Sequence, residues 1–307
     1  MSQTDLVTGA YGYSGTYLRS RLQAAGHTVR TLTDHPAPDA DIEVFPYRFT
    51  DPGALEEAFT GVTTFYNTYW TRYEPGGTSH PQAVTNTEAL LTAAARAGVE
   101  RVVHLSITNP DADSFYAYYR GKAAVEDLVR DSGLPYAIVR PGVIFGGPDI
   151  LLNNIAWLLR QFYVFAIPGD GRYRLRPVHV EDLAELCVRL GAEREDTVVD
   201  AIGPESFSFE DLAATIARAI GSPFRPVHLP PALVSLVLRG LSLVTRDIVL
   251  TRDEIDGLMA ELVMVEGEAT CPTPLTDYLR ENAGRIGREY HSELARRRPL
   301  RPAALTG

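Results

Sequence analysis

The sequence predicts an α/β fold, in which a doubly wound parallel sheet is followed by a smaller, mostly helical C-terminal part. The first observation is that short apolar runs alternate with helical patterns through the first half of the chain. The apolar runs are 6–8, 27–33, 63–66, 101–107 and 136–140. The second observation is a change of texture after Pro141, where a glycine-rich loop leads into mainly helical patterns.

Each helix and each later strand has its own signal. Helical patterns cover 14–25, 52–59, 81–97, 114–131, 150–160, 181–190 and 209–220. Glycine follows several of them, as is common at helix C-termini, and Ser208 is the expected N-cap of the last. We therefore expect a domain of the doubly wound type over 1–147 and a second domain over 148–307. The strand near 197–203 is expected to return to the first sheet.

The composition narrows the classes of partner. The chain has 307 residues and a formal net charge of -10, which argues against nucleic acid, because phosphate contacts need clustered cations. Its two cysteines lack neighbours at metal-ligand spacing, so no metal site is expected. The first residues do not resemble a secretion signal, and the apolar stretch 233–244 is too short to span a bilayer. These features predict a cytoplasmic protein without a membrane span.

The strongest motif follows the first apolar run. Gly9, Gly12 and Gly15 have the spacing of a strand–turn–helix that holds a dinucleotide. They allow, in turn, a tight bend, close approach of the backbone to a pyrophosphate, and close packing of helix on strand. Asp34 ends the second strand, where a carboxylate accepts from ribose hydroxyls and repels a 2′-phosphate. Asp34 therefore favours NAD, while Arg30 on the same strand face leaves NADP open.

A second group of residues points to proton transfer. Tyr118 and Lys122 are four residues apart and share one face of a predicted helix. A nearby ammonium lowers the pKa of a tyrosine, so Tyr118 can exchange a proton with a substrate oxygen, and Lys122 can also bind the cofactor ribose. Ser106 ends the preceding strand, at the sheet edge that lines the ligand crevice of parallel sheets. We therefore expect Ser106 to hold the reacting oxygen.

These motifs together resemble the short-chain dehydrogenase/reductase superfamily. The segments 140–146, 168–171 and 177–184 are similar to elements of its extended branch, the NAD-dependent epimerase/dehydratase family, and the whole chain is most similar to the atypical, NmrA-like sequences. The resemblance implies a Rossmann fold, a nicotinamide cofactor that Tyr13 and Pro141 also contact, and a possible homodimer. It also implies catalysis by the serine, tyrosine and lysine described above.

The resemblance suggests where a substrate would bind. Asn67 follows the strand 63–66, Asn154 lies where the extended branch begins its substrate domain, and Arg172 follows a glycine-rich turn. In sugar-nucleotide enzymes such positions hold a diphosphate, which implies an anionic or sugar-nucleotide-like small molecule. The aromatic residues Tyr69 and Trp70 and the short interval between the catalytic serine and tyrosine argue against a specific UDP-sugar.

Three functional hypotheses follow. The leading one is an NAD(P)-dependent oxidoreductase, or an epimerase/dehydratase that oxidises and re-reduces its substrate. The second is a sensor or accessory protein that binds a nicotinamide nucleotide without turnover, since atypical relatives often lose the catalytic tyrosine or lysine. The third is an accessory protein that lies on a membrane surface through the apolar segment 230–244.

Overall fold

The structure is a computed structural model that describes residues 3–37, 40–72, 78–162, 164–245, 247 and 252–296. The described chain forms two compact units. The first contains residues up to 140 together with 184–199, and the second contains 141–183 and 200–296. The segment 184–199 therefore belongs with the N-terminal residues, although it follows them by more than forty positions in the chain.

The strands are short and are distributed along the whole described chain. In order they are β1 (Thr4–Thr8), β2 (Thr28–Leu32), β3 (Glu43–Phe45), β4 (Thr64–Asn67), β5 (Arg101–Leu105), β6 (Tyr136–Pro141), β7 (Val143–Phe145), β8 (Phe165–Pro168), β9 (Arg174–Leu175), β10 (Pro177–His179), β11 (Thr197–Ala201), β12 (Phe207–Ser208) and β13 (Pro226–Leu229). The main sheet has the order β11-β6-β5-β4-β1-β2-β3. Its strands from β1 to β6 pair in parallel.

This sheet is the doubly wound Rossmann sheet that the sequence predicts, because the strand order reverses between β1 and β4. The helices are α1 (Tyr13–Ala24), α2 (Pro52–Phe59), α3 (His80–Arg96), α4 (Ala117–Asp131), α5 (Leu151–Gln161), α6 (Val180–Ala192), α7 (Phe209–Ile220), α8 (Pro231–Thr245), α9 (Arg252–Met259), α10 (Leu275–Asn282) and α11 (Glu293–Arg296). None of the helices within the described ranges combines the length and the hydropathy needed to cross a membrane.

One face of the main sheet is covered by α2, α3 and α4. Alternate strand residues point to this face, as the pleat requires, and Leu6, Phe65 and Val102 are fully buried there. They pack against Leu90 of α3 and Val125 of α4. The carboxyl ends of β1, β4 and β5 consequently share one edge of the sheet, so the loops that follow these strands are neighbours.

The helix ends follow the sequence signals closely. The hydroxyl of Ser208 accepts a hydrogen bond from the amide of Asp211, which confirms it as the N-cap of α7. Gly26, Gly98 and Gly133 follow α1, α3 and α4 with φ of 82°, 79° and 75°, the left-handed conformation that glycine adopts at low cost. The predicted helix 114–131 is shorter than expected, since α4 begins at Ala117.

The second unit contains pairings that the sequence analysis did not predict. Strand β7 pairs with β10 and β8 with β13, both in parallel, while β9 and β12 pair antiparallel. The sequence predicts a mostly helical C-terminal part, and residues 226–229 depart from this prediction, because β13 forms there along β8. Each of these strands has only two to four residues, too few for a periodic pattern, and each depends on a partner distant in sequence.

Candidate cofactor and catalytic site

The turn after β1 is built by its three glycines. Gly9 has φ of 64° and donates its amide to the carbonyl of Leu32, while the amide of Gly12 donates to Gly9 at 2.7 Å. A Cβ on Gly15 would overlap the carbonyl oxygen of Gly9, so only glycine lets α1 start this close to β1. Gly12 is the N-cap of α1 and offers no side-chain cap. The uncapped first turn and its dipole fit an anionic pyrophosphate.

The end of β2 carries a carboxylate. Asp34 is exposed, and one of its oxygens accepts the backbone amide of Tyr47 at 3.0 Å. Arg30, which the sequence analysis kept as a possible 2′-phosphate ligand, is held by Glu43 at 2.6 Å and by the carbonyl of Thr60 at 2.7 Å. The guanidinium is thus engaged at β3 and the turn after α2. Because the guanidinium of Arg30 is bound to these groups, the exposed carboxylate of Asp34 is the side chain of the two that stands at the end of β2.

Tyr118 stands in an aromatic cluster with Trp70 and His80. The indole of Trp70 and the imidazole of His80 are stacked, with centroids 5.6 Å apart and planes 3° from parallel. The half-buried Tyr118 meets both rings edge-on, at 5.8 Å and 5.7 Å. Its neighbour Tyr119 is buried in the first unit and is 7% exposed. The cluster fixes the plane of the Tyr118 ring at the start of α4.

Lys122 lies one turn further along α4 and is 3% exposed. Its Nζ donates to the carbonyl of Leu105, the last residue of β5, at 3.0 Å, and lies 4.8 Å from the centre of the Trp70 ring. A Cβ on Gly121 would come within 2.7 Å of that ring, so the glycine makes room for the indole. Burial lowers the pKa of Lys122 to about 7, against the opposing influence of the Glu126 charge.

Ser106 follows β5 directly and is bound to a buried carboxylate. Its hydroxyl donates to Oε1 of Glu126 at 2.6 Å. Arg140 donates to both oxygens of Glu126, at 2.8 Å and 2.6 Å, and Arg130 donates to Oε2 at 2.8 Å. Burial alone would raise the pKa of Glu126, but the hydrogen bonds from Arg140 and Ser106 outweigh it and hold that pKa below its ordinary value. The Ser106 hydrogen therefore points at a carboxylate, and Oγ keeps its lone pairs.

The other predicted ligand residues have different surroundings. Asn67 is fully buried, and its carboxamide bonds to Thr8, to the amide of Tyr69 and to His104. In the second unit, the Asn154 side chain donates to the carbonyl of His291 and accepts from its amide. Asn154 is 4% exposed. The structure therefore uses the polar atoms of Asn67 and Asn154 within the fold.

Two further predicted residues lie in the second unit. Pro141, at the end of β6, is buried. Arg172 is exposed after a turn in which its amide donates to Asp170 at 3.0 Å. Its guanidinium is thus at the surface of the unit. Tyr13, in the first unit, begins α1 and meets Tyr17 edge-on.

Several residues of this site escaped the sequence analysis. Glu126 and Arg140 are 14 positions apart, and nothing in their spacing indicates that they meet. A residue count could have drawn attention to Lys122, which is the only lysine of the chain beside 28 arginines. Arginine stays charged in proteins, whereas a buried lysine can lose its proton, so this chain has a titratable side-chain amine at this position alone. Among the described residues, no cluster of histidine, cysteine and carboxylate side chains could hold a metal ion.

Comparisons with known proteins indicate a nicotinamide-nucleotide-binding family. A family model described as NAD(P)H-binding matches residues 9–155. A (4-alkanoyl-5-oxo-2,5-dihydrofuran-3-yl)methyl phosphate reductase of Streptomyces griseus is 30% identical over 232 residues, and the match covers 72% of this chain and 75% of that protein. The NADH-ubiquinone oxidoreductase 40 kDa subunit of Neurospora crassa is 23% identical, with 82% and 70% covered. The NADP(H)-bound triphenylmethane reductase of Citrobacter sp. superposes with a TM-score of 0.75 at 16% identity, with 91% and 99% covered.

Proposed function

Because this chain belongs to the NAD(P)H-binding proteins of the extended, NmrA-like short-chain dehydrogenase/reductase type, we propose that it is a reductase in which Tyr118 donates the proton. One observation carries the proposal: Tyr118 and the sole lysine lie one turn apart on α4, and the Lys122 amine is anchored at the end of β5, directly before Ser106. A phenol needs a nearby cation to act near neutral pH, and this pair supplies one.

Each group has a defined task in this proposal. The nicotinamide supplies hydride when it is bound. The first turn of α1, which has no side-chain cap, holds the pyrophosphate, and Asp34 accepts from the adenosine ribose, which favours NAD over NADP. Tyr118 gives its phenolic proton to the substrate oxygen, and Lys122 stabilises the phenolate that remains. Ser106 accepts a hydrogen bond from a hydroxyl through its free lone pairs, since its own hydrogen is bound to Glu126.

The substrate class is proposed from the relative in Streptomyces griseus. The name of that enzyme describes an unsaturated lactone that carries an acyl group and a phosphate ester. A small carbonyl compound with an anionic group suits the exposed guanidinium of Arg172, within a substrate-binding part that we place at 148–307. An epimerase or dehydratase would use the same proton-transfer pair without net oxidation, so product analysis separates these reactions.

The test uses Tyr118→Phe, with Tyr116→Phe as the matched control. The oxidation of NADH and NADPH is followed with unsaturated lactones and their phosphate esters as acceptors. We expect the Tyr118 variant to lose at least 100-fold in kcat, because general acid catalysis contributes about 10²–10⁴-fold. Nucleotide affinity should change little, and the control should keep its activity. A Tyr118 variant with wild-type turnover would refute the catalytic role.

A second candidate function is nucleotide binding without turnover. It is favoured by the position of the Trp70 ring over the Lys122 amine, and by the hydrogen bond from Ser106 to Glu126, which occupies the only donor of the serine side chain. Mass spectrometry of nucleotide released from the freshly purified, denatured protein distinguishes the two. Bound nucleotide that no acceptor reoxidises would favour a sensor or accessory protein, whereas reduced nucleotide that an acceptor oxidises, with release of the oxidised form, would favour the reductase.

A further inference from the structure

Glu126 is a buried acid to which the proposed reaction assigns no task. It is 1% exposed and lies one helical turn after Lys122 on the buried face of α4. Four donors reach its two oxygens: the Ser106 hydroxyl, two nitrogens of Arg140 and one of Arg130. A carboxylate has about four lone-pair sites, so this group is saturated and stays ionised.

Two consequences follow for the neighbouring groups. A fixed negative charge one turn away favours the ammonium form of Lys122, which burial alone would disfavour. The same carboxylate fixes the direction of the Ser106 hydrogen, so that Oγ faces other partners as an acceptor. Both groups belong to the site of the proposed reaction, although Glu126 itself is separated from solvent.

We propose that Glu126 is a positioning residue, which favours the charged form of Lys122 and orients Ser106 as a hydrogen-bond acceptor. The inference rests on the proposed function, because it assigns roles in that reaction. The charge state of Lys122 and the orientation of the Ser106 hydroxyl are nevertheless properties of the protein without substrate. With its own hydrogen bound to Glu126, Ser106 can accept a hydrogen bond from a substrate hydroxyl or from the phenol of Tyr118. A substrate carbonyl oxygen must instead receive its hydrogen bond from Tyr118.

Other groups that face Lys122 are accounted for. His104 of β5 stays neutral, because burial and the charge of Lys122 hold its pKa well below the ordinary value. Trp70 contributes the face of its ring, and His80 of α3 stacks on that indole. Tyr118 lies on the same helix, one turn earlier. Glu126 is therefore the acid that acts on the lysine from α4, while its arginine partners reduce the field it exerts.

The experiment exploits the single lysine. Protein grown with ¹³C-lysine gives one side-chain ε-methylene resonance, and its shift against pH reports the pKa of Lys122 directly. The variants are Glu126→Gln, which removes the charge, and Arg130→Gln, which removes a partially exposed cation from Glu126. Asp127→Asn is the matched control, because Asp127 adjoins Glu126 in sequence and also pairs with Arg130, but is 68% exposed.

We expect Glu126→Gln to lower the pKa of Lys122 by about one unit, a tenfold loss of proton affinity. Arg130→Gln should raise it, and Asp127→Asn should leave it within about 0.3 units. Because Arg130 is at the surface, its variant tests the proposal even if Glu126→Gln does not fold. Opposite shifts in the two variants support the proposal. An unchanged lysine pKa, or equal shifts in Glu126→Gln and Asp127→Asn, overturns it.

Turnover separates this inference from the proposed function. The alkaline limb of kcat/KM against pH should follow the lysine pKa measured by NMR in each variant, because the ammonium form is the active one, with the change mainly in kcat. The NMR titration needs neither nucleotide nor substrate. It can therefore fail while Tyr118→Phe still abolishes turnover, and it can succeed in a protein that proves to be a nucleotide-binding accessory protein.

Discussion

Replacement of Lys122 by methionine should stabilise the protein at low pH and destabilise it at high pH. The residue is 3% exposed, and burial lowers its pKa from 10.5 to about 7. The native state therefore binds fewer protons than the unfolded state between these values, so the stability of the wild type rises with pH across that interval. Below pH 7 the lysine carries the full cost of a buried charge.

The structure sets the magnitude of this cost. The difference between 10.5 and about 7 corresponds to about 5 kcal/mol of unfolding free energy. Methionine removes that cost but leaves the carbonyl of Leu105 without the Lys122 donor, which costs about 1–3 kcal/mol. We thus expect Lys122→Met to be more stable than wild type by about 2–4 kcal/mol near pH 6. Near pH 10, where the neutral amine still donates, it should be less stable by about 1–3 kcal/mol.

Urea unfolding followed by circular dichroism between pH 6 and pH 10 measures both proteins. The difference between their unfolding free energies isolates the lysine, because the buried thiols Cys187 and Cys271 and the tyrosines are common to both. No other lysine side chain contributes to this interval. The stability of Lys122→Met relative to wild type should increase as the pH is lowered. A relative stability that does not vary with pH, or that decreases as the pH is lowered, would refute a buried amine that titrates in this interval.

Two further substitutions test the nucleotide site. Gly15→Ala should weaken NADH binding at least tenfold in isothermal titration, because its Cβ overlaps the Gly9 carbonyl, whereas Gly53→Ala in α2 adds a methyl at ordinary contact distance and should bind as wild type. Asp34→Asn should shift the ratio of NADPH to NADH affinity toward NADPH by tenfold or more, since it removes a carboxylate that repels a 2′-phosphate; an unchanged ratio would exclude Asp34 from the ribose site.

The sequence predicted the parts of the fold that rest on local signals. Helix α7 begins and ends where its periodicity, the Ser208 cap and Gly221 indicate, and the glycine turn after β1 has the predicted form. The short strands β7 to β10 were not predictable in this way, because a segment of two to four residues becomes a strand through its partner rather than its own pattern.

The candidate site shows the same division. The four-residue interval of Tyr118 and Lys122 indicates a shared helix face, and the glycine turn upstream together with the serine at the end of the preceding strand singled out this pair. The link from Ser106 through Glu126 to Arg140 depends on how β5, α4 and β6 pack, which no interval in the sequence encodes. Asn67 was proposed from its position after the predicted strand 63–66, but it is the buried last residue of β4, and its carboxamide bonds to Thr8 and His104 of the neighbouring strands.

The solitary, enclosed lysine also makes the surface of this protein unusual as a chemical target. Lys122 carries the only ε-amine of the sequence and is 3% exposed, so reagents and enzymes that acylate or conjugate ε-amines find no accessible side-chain acceptor while α4 remains packed. Acylation of Lys122 would require a local opening of α4, and the rate of acylation would therefore measure the frequency of that opening. The rate of labelling of the α-amino group in the same reaction would serve as the reference for this measurement.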